Sequence, residues 1–259
     1  MTLELRICGT LSGCGFSLAR ATKQRPSNAL DWGVNAKLVL FDIDGTLIAS
    51  HGAGQRALAA ALKQIFGDSV AMPDIDTSGK LDPQIYRELA ACLPDVAMLE
   101  QELAFRQAYL EALRDEAASF ELLPGVASCI AALRQYPHIT LGLLTGNLSA
   151  AAKLKLQAVQ LVWEWFAVTA FGEEAPSRAD LVQLAMERYA AQQRPKVQAQ
   201  DVVIVGDTPR DVACAHSHHC VAFAVATGRW DSTSLQAARA DVVVENLLDS
   251  SPLWQVLGL

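Results

Sequence analysis

Two hydrophobic rhythms take turns along this chain. Lys37-Leu38-Val39-Leu40-Phe41 is a short, largely apolar run that halts at an acidic, glycine-bearing turn, as a buried parallel strand does. From Gln55 to Phe66 the spacing changes to that of a helix, with Leu58, Ala61, Leu62 and Ile65 on one face. A turn-rich stretch follows from Met72 to Gly79, and two more helical segments run over 82–92 and 95–116 with no convincing strand between them. Beyond Pro124-Gly125, which opens a helix with Val126, Ile130 and Leu133 on one face, strands and helices alternate. The pattern predicts strands over 139–144, 168–171, 201–205, 221–226 and 241–243, with helices over 148–159, 179–190 and 209–216 between them. Strands spaced by helices predict an α/β fold, a doubly wound parallel sheet with helices on both faces. Residues 50–120 read as an inserted all-helical domain, with 37–49 and 121–259 forming the core.

Composition narrows the classes. Of 259 residues, 51% are apolar and 19% charged, enough material for a sizeable core and against disorder over most of the chain. The net charge is −7 and no Lys/Arg stripe is present, so nucleic acid is not an expected partner. No stretch approaches a membrane span, and none of the six cysteines forms a CxxC pair. Reduced thiols in a cytoplasmic protein, monomer or homodimer, are the expectation. Residues 1–36 lack periodicity and read as a poorly ordered extension. His216, His218, His219 and Cys220 crowd together, but they span a helix end and the approach to a strand, which argues against a zinc site.

In an open parallel sheet, ligands bind beyond the carboxyl ends of the strands. Three such ends carry polar residues: Asp42-Ile43-Asp44-Gly45-Thr46, Thr145-Gly146-Asn147, and Gly206-Asp207-Thr208-Pro209-Arg210-Asp211. Four carboxylates on converging tips repel one another unless a cation joins them, and an all-oxygen set of this kind suits Mg²⁺.

The ordered set resembles the haloacid dehalogenase (HAD) superfamily, in the branch whose helical cap follows the first strand, and is most similar to its phosphoglycolate phosphatase group. The first motif is Leu38-Val39-Leu40-Phe41-Asp42-Ile43-Asp44-Gly45-Thr46, the second Leu141 to Asn147, and the fourth Val203 to Asp207 with Asp211 following. The resemblance implies a HAD-like Rossmannoid core and a Mg²⁺-dependent phosphatase acting on a small phosphorylated metabolite. Asp42 would be the nucleophile that forms an aspartyl phosphate, and Asp44 the acid and base. Asp207 would bind the metal with Asp42 and the backbone carbonyl of Asp44, and Asp211 would be a ligand or a partner behind the ligands. Thr145 and backbone N–H groups near Ile43, Asp44 and Gly146 would hold the phosphoryl oxygens, with Gly146 and Asn147 at the substrate. Asp44 favours phosphate esters over carbon–halogen bonds, because dehalogenases of this group lack an acid there.

Two positions depart from the family pattern or stay open. The third-motif base, usually lysine, falls best on Arg178, with Lys153, Lys155 and Lys196 as other candidates. Lys80, in the loop Thr77 to Pro83 that resembles the family's cap loop, is a candidate substrate contact. A sugar phosphomutase of the same superfamily (β-phosphoglucomutase-like) is the competing enzyme, and a non-catalytic binding member of the fold the alternative from another class.

Overall fold

The computed structural model describes residues 35–93, 99–192 and 194–259. In chain order these give β1 (Lys37–Phe41), β2 (Ile48–Ala49), α1 (Ala53–Phe66), α2 (Asp82–Cys92), α3 (Glu102–Asp115), β3 (Glu121–Leu122), α4 (Val126–Leu133), β4 (Ile139–Leu144) and α5 (Ser149–Ala158). They continue with β5 (Val168–Ala170), α6 (Arg178–Ala191), β6 (Val202–Gly206), α7 (Pro209–Ser217), β7 (Val221–Val225), α8 (Ser232–Ala237), β8 (Val242–Val244) and α9 (Ser251–Leu257). Most of the extension expected over 1–36 lies outside the described residues.

Six parallel strands form one sheet in the order β5-β4-β1-β6-β7-β8. The switch point is β1, which pairs with β4 on one side and β6 on the other. Phe41 stands opposite both Leu143 and Val205, so Asp42, Thr145 and Asp207 leave the sheet at one edge. That register, more than any single contact, brings the three predicted strand tips together.

Strand alternation divides the core. Leu38 and Leu40 point with Ile204 and Ala224 toward Leu181, Val182, Ala185, Val212 and Ala215 of α6 and α7. Val39 and Phe41 point to the other side, toward Ile130 and Leu133 of α4, Ala152 and Leu156 of α5, and Leu253 of α9. Each large apolar side chain so buried contributes about 1.5–3 kcal/mol relative to leaving it in water.

Between β2 and β3 the regular elements are helical. Ala57, Leu58, Ala61 and Leu62 of α1 pack with Phe105, Ala108, Tyr109 and Leu113 of α3, and Tyr86 of α2 meets Phe105 at 5.1 Å between ring centroids. The segments entering and leaving this region pair as β2 and β3, a two-stranded antiparallel ladder that the two-residue strands were too short to announce in the sequence. Helices α8 and α9 were likewise not expected. At six and seven residues they are shorter than two full turns and leave little periodic signal. No described helix is long and apolar enough to cross a membrane.

Candidate active site

The turn after β1 is shaped by Gly45, whose φ of +75° is open to glycine and strained for other residues. Its backbone also lies against the Asp207 carboxylate, leaving no room for a Cβ. Asp42, Asp207 and Asp211 are buried, at 4%, 4% and 3% exposure, and an oxygen of each lies within 4.8 Å of the others. Arg178, the first residue of α6, enters this group: Nη2 lies 3.0 Å from Asp42 Oδ2 and 2.5 Å from Asp211 Oδ1. Ser177 fixes the start of α6 as its N-cap, accepting the Asp180 N–H, and so sets where the guanidinium is delivered.

Asp211 is the best-satisfied carboxylate of the group. Its Oδ2 accepts the N–H and hydroxyl of Thr208 at 3.0 and 2.7 Å, closing a capping box on α7, while Oδ1 takes Arg178. Among the described residues Asp207 has one weak side-chain donor, the Thr46 hydroxyl at 3.3 Å. Burial and the negative charges of Asp211 and Asp42 hold the Asp207 carboxyl well above the usual range, against the pull of Arg178. Burial likewise pushes Asp42 up to about 6, with Arg178 opposing and Asp211 and Asp44 adding to the rise. Three buried carboxylates facing one guanidinium leave a deficit of positive charge, and an all-oxygen donor set with such a deficit fits a hard divalent cation.

The second strand tip builds a different cluster. Asn147 Nδ2 donates to Asp44 Oδ2 at 2.7 Å and to Thr145 Oγ1 at 2.9 Å. Lys155 Nζ donates to Asp44 Oδ2 at 2.6 Å and to Asn147 Oδ1 at 2.5 Å. Burial would raise Asp44, but the charge and hydrogen bond of Lys155, with Asn147 and Ser50, outweigh it and hold the carboxyl below its ordinary value. Lys155 therefore meets Asp44 rather than Asp42, and Arg178 is the cation on Asp42. Lys153 lies over the Trp163 ring and Lys196 is exposed, both away from the cluster.

The loop before α2 closes over these tips. The Asp82 N–H donates to the Gly146 carbonyl at 2.7 Å, and Asp82 Oδ2 accepts the Leu148 N–H at 2.7 Å. A side chain on Gly146 would run into the Lys80 carbonyl. Arg178 Nη1 reaches the Gly79 carbonyl at 3.4 Å, and Arg210 Nη1 the Ser78 carbonyl at 2.5 Å. Beneath lies a cavity of about 460 Å³ that Asp42, Asp44, Thr145 and Arg178 share with Gln55 and Tyr109. Lys80 also lines it, but its ammonium is bound to Glu88 Oε2 at 2.5 Å.

Three residues at the site escaped the sequence reading in different ways. Lys155 was weighed only as a partner for Asp42, yet it sits with Ala151, Ala152 and Leu156 on the buried face of α5, and a lysine on an apolar helix face is itself a signal. Thr208 with Asp211 three residues on has the spacing of a capping box. Asp82 lies at the start of the predicted helix and in the loop Thr77 to Pro83, where nothing in the sequence assigned it a role; its contacts with residues 146 and 148 left no local trace.

Comparison with known proteins agrees with this geometry. A family profile described as haloacid dehalogenase-like hydrolase matches residues 39–216. The chain is 27% identical over 215 residues, 80% of its own length and 89% of the relative's, to a protein named "Probable phosphatase IndB" from Dickeya dadantii. A hydrolase from Pseudomonas syringae superposes with a TM-score of 0.68 at 18% identity, over 85% of this chain and 98% of that one. A predicted phosphoglycolate phosphatase from Haemophilus somnus gives 0.65 at 16% identity, over 84% and 97%. The profile spans well over half of the residues and takes in the three strand tips, from the run before Asp42 to the helix after Asp211, and the chain belongs to the haloacid dehalogenase-like hydrolase family.

Proposed function

We propose that this enzyme is a Mg²⁺-dependent phosphatase that hydrolyses a small phosphate monoester through an aspartyl phosphate on Asp42. The observation that carries the reading is the charge imbalance at the strand tips, where Asp42, Asp207 and Asp211 are buried together against Arg178. A phosphoryl dianion brought beside Asp42 would deepen that imbalance unless a cation accompanied it. Asp42 and Asp207 would hold Mg²⁺, with the Asp44 carbonyl. Asp211, whose oxygens already take Arg178 and Thr208, stands behind them. When bound, the metal would neutralise charge between the phosphoryl group and Asp42.

The residues of the chain then divide the reaction. A carboxylate oxygen of Asp42 attacks phosphorus as the bond from phosphorus to the ester oxygen breaks. The phosphoryl dianion arriving beside Asp44 opposes the pull of Lys155 and favours its protonated form, and Asp44 gives that proton to the departing oxygen, so the product leaves as the alcohol. In the second half a water oxygen attacks phosphorus, its proton returns to Asp44, and the bond from phosphorus to Asp42 breaks to release inorganic phosphate. Thr145 and Arg178 grip the phosphoryl oxygens, and the guanidinium stabilises charge that grows in the transition state. A cavity of about 460 Å³ has room for the leaving group of a small metabolite.

The test is phosphate release from a panel of small esters, phosphoglycolate and sugar phosphates included, with Mg²⁺ and with EDTA. Release that needs the metal and disappears in Asp42→Asn is the expected result. A folded wild-type protein that releases no phosphate from any ester with Mg²⁺ present would overturn the reading.

A further inference from the structure

We propose that Lys155 is a positioning residue for proton transfer, fixing Asp44 through a closed hydrogen-bond triangle with Asn147, in a role separate from that of Arg178. The inference rests on the phosphatase reading above and goes beyond it in assigning the second buried cation.

An ammonium group is costly to bury unless it is paired and hydrogen-bonded. Lys155 is 3% exposed and sits two turns into α5 among alanines and leucine, where a methionine would pack at no such cost. Its two acceptors are Asp44 Oδ2 and Asn147 Oδ1. Lysine has donors and no acceptor, so it must face the oxygen of the Asn147 amide. The amide nitrogen is thereby turned the other way, where it donates to Asp44 Oδ2 and Thr145 Oγ1. Removing Lys155 would take one of the donors from the carboxylate and leave the Asn147 oxygen without the partner that sets the orientation of the amide.

The triangle has a chemical consequence. Two donors, at 2.6 and 2.7 Å, converge on Oδ2 of Asp44. With these two donors on Oδ2, and Ser50 also hydrogen-bonded to the carboxyl, Oδ1 is assigned the proton that passes to the ester oxygen. Arg178 makes its charged contacts with Asp42 and Asp211, not with Asp44. The site thus has one cation for the attacking carboxylate and one for the proton-transferring carboxylate.

Esters with different leaving groups separate this role from a structural one. An alkyl phosphate must gain a proton as its alkoxide departs, whereas p-nitrophenyl phosphate expels a stable phenolate and needs none. The kcat/KM of each reports the steps up to departure of the leaving group. Positioned proton transfer contributes about 10²–10⁴-fold, so Lys155→Met should lower kcat/KM for glycerol phosphate about 10²-fold or more. For p-nitrophenyl phosphate the loss should stay below about 5-fold, because the proton transfer it disrupts is not needed there. Lys155→Arg, which keeps a cation, should recover part of the loss on glycerol phosphate. The aryl ester is an internal check that the site is folded, and Lys155→Gln is read in the same pair of assays if the methionine variant does not fold. Equal losses on both esters, or no loss on the alkyl ester, would overturn the assignment of Lys155 alone. A wild-type enzyme that hydrolyses neither ester would overturn the phosphatase reading beneath it.

Discussion

Arg178 bridges Asp42 and Asp211 through one nitrogen, 3.0 Å from the first carboxylate and 2.5 Å from the second. Burial works against the charge of this guanidinium, yet the two carboxylates hold its proton more tightly than in an ordinary arginine. Replacing it with alanine would leave buried anions with nothing to face. Breaking a buried pair in this way costs about 3–5 kcal/mol. Losing a donor to the phosphoryl group costs a further factor of about 10²–10³ in kcat. Arg178→Ala should therefore lose both stability in urea melts and turnover, and Arg178→Lys should keep more of each. An alanine variant with wild-type kcat would remove Arg178 from the phosphoryl site.

The carboxylate group around Asp207 yields a prediction that needs no turnover. If Mg²⁺ relieves the repulsion among Asp42, Asp207 and Asp211, it stabilises the folded state alone. At a concentration about 100 times its Kd the gain is about 2.7 kcal/mol. For a domain of this size that is a rise in Tm of about 5–10 °C. Asp207→Asn removes a ligand and one of the repelling charges together. The variant should melt at or above the wild type without metal and should show little response to Mg²⁺. An unchanged Mg²⁺ response in the variant would place the ion elsewhere.

How much of this site was legible from sequence depends on whether a residue's role is local. Asp42, Asp44, Thr145, Asp207 and Asp211 each follow an apolar strand, so one rule about parallel sheets collected them before any contact was known. Arg178 could be placed only through the resemblance, which puts a base near the start of the helix before the strand that leads to Asp207; the Ser177 cap then fixes where that helix begins. The position of Lys155 was visible but its partner was not. Asp44 lies 111 residues away, and only the register of β1 against β4 brings α5 beside it. Asp82 is similar, since the backbone of residues 146 and 148 accepts and supplies its hydrogen bonds without contributing a side-chain signal. The β2–β3 ladder was hidden for a third reason: two-residue strands are too short to show any period.

Asp82 gives the pH dependence a definite sign. Burial, opposed by Lys155 and the Leu148 N–H and reinforced by Asp44 and Glu173, pushes its carboxyl up to about 6 from 3.8. Between these two values the folded protein binds more protons at this residue than the unfolded chain does, so its contribution to stability falls as pH rises. The decline starts near the unfolded value and is complete above the folded one. A rise of about two pK units corresponds to about 3 kcal/mol. Asp82→Asn keeps an oxygen for the Leu148 N–H and removes the titration. The stability of wild type minus that of the variant should therefore fall by up to about 3 kcal/mol between pH 4 and pH 7, as read from urea melts. A difference that stays flat over this range, or that rises, would show that Asp82 is not held protonated by its surroundings.

Lys80 bears on which ester is preferred. It lines the cavity, yet its ammonium is bound to Glu88 at 2.5 Å, with the lysine 17% and the glutamate 42% exposed. The other basic side chains on the cavity wall are also engaged: His51 with Glu121, Lys155 with Asp44, Arg178 with Asp42 and Asp211, and Arg229 with Asp76. A leaving group that carries its own carboxylate, such as that of phosphoglycolate, must compete with Glu88 for Lys80. A neutral polyol carries no charge with which to draw Lys80 from Glu88, and Gln55 and Tyr109 are among the uncharged side chains of the wall. Glu88→Gln removes the competing charge without shortening the side chain. The ratio of kcat/KM for phosphoglycolate to that for glycerol phosphate should then rise about 10-fold, the value of one charge-assisted hydrogen bond of about 1.4 kcal/mol. Lys80→Met in the same background should cancel the rise. If the ratio does not move in Glu88→Gln, Lys80 does not reach the leaving group, and the selectivity must come from the Gln55 and Tyr109 side of the cavity.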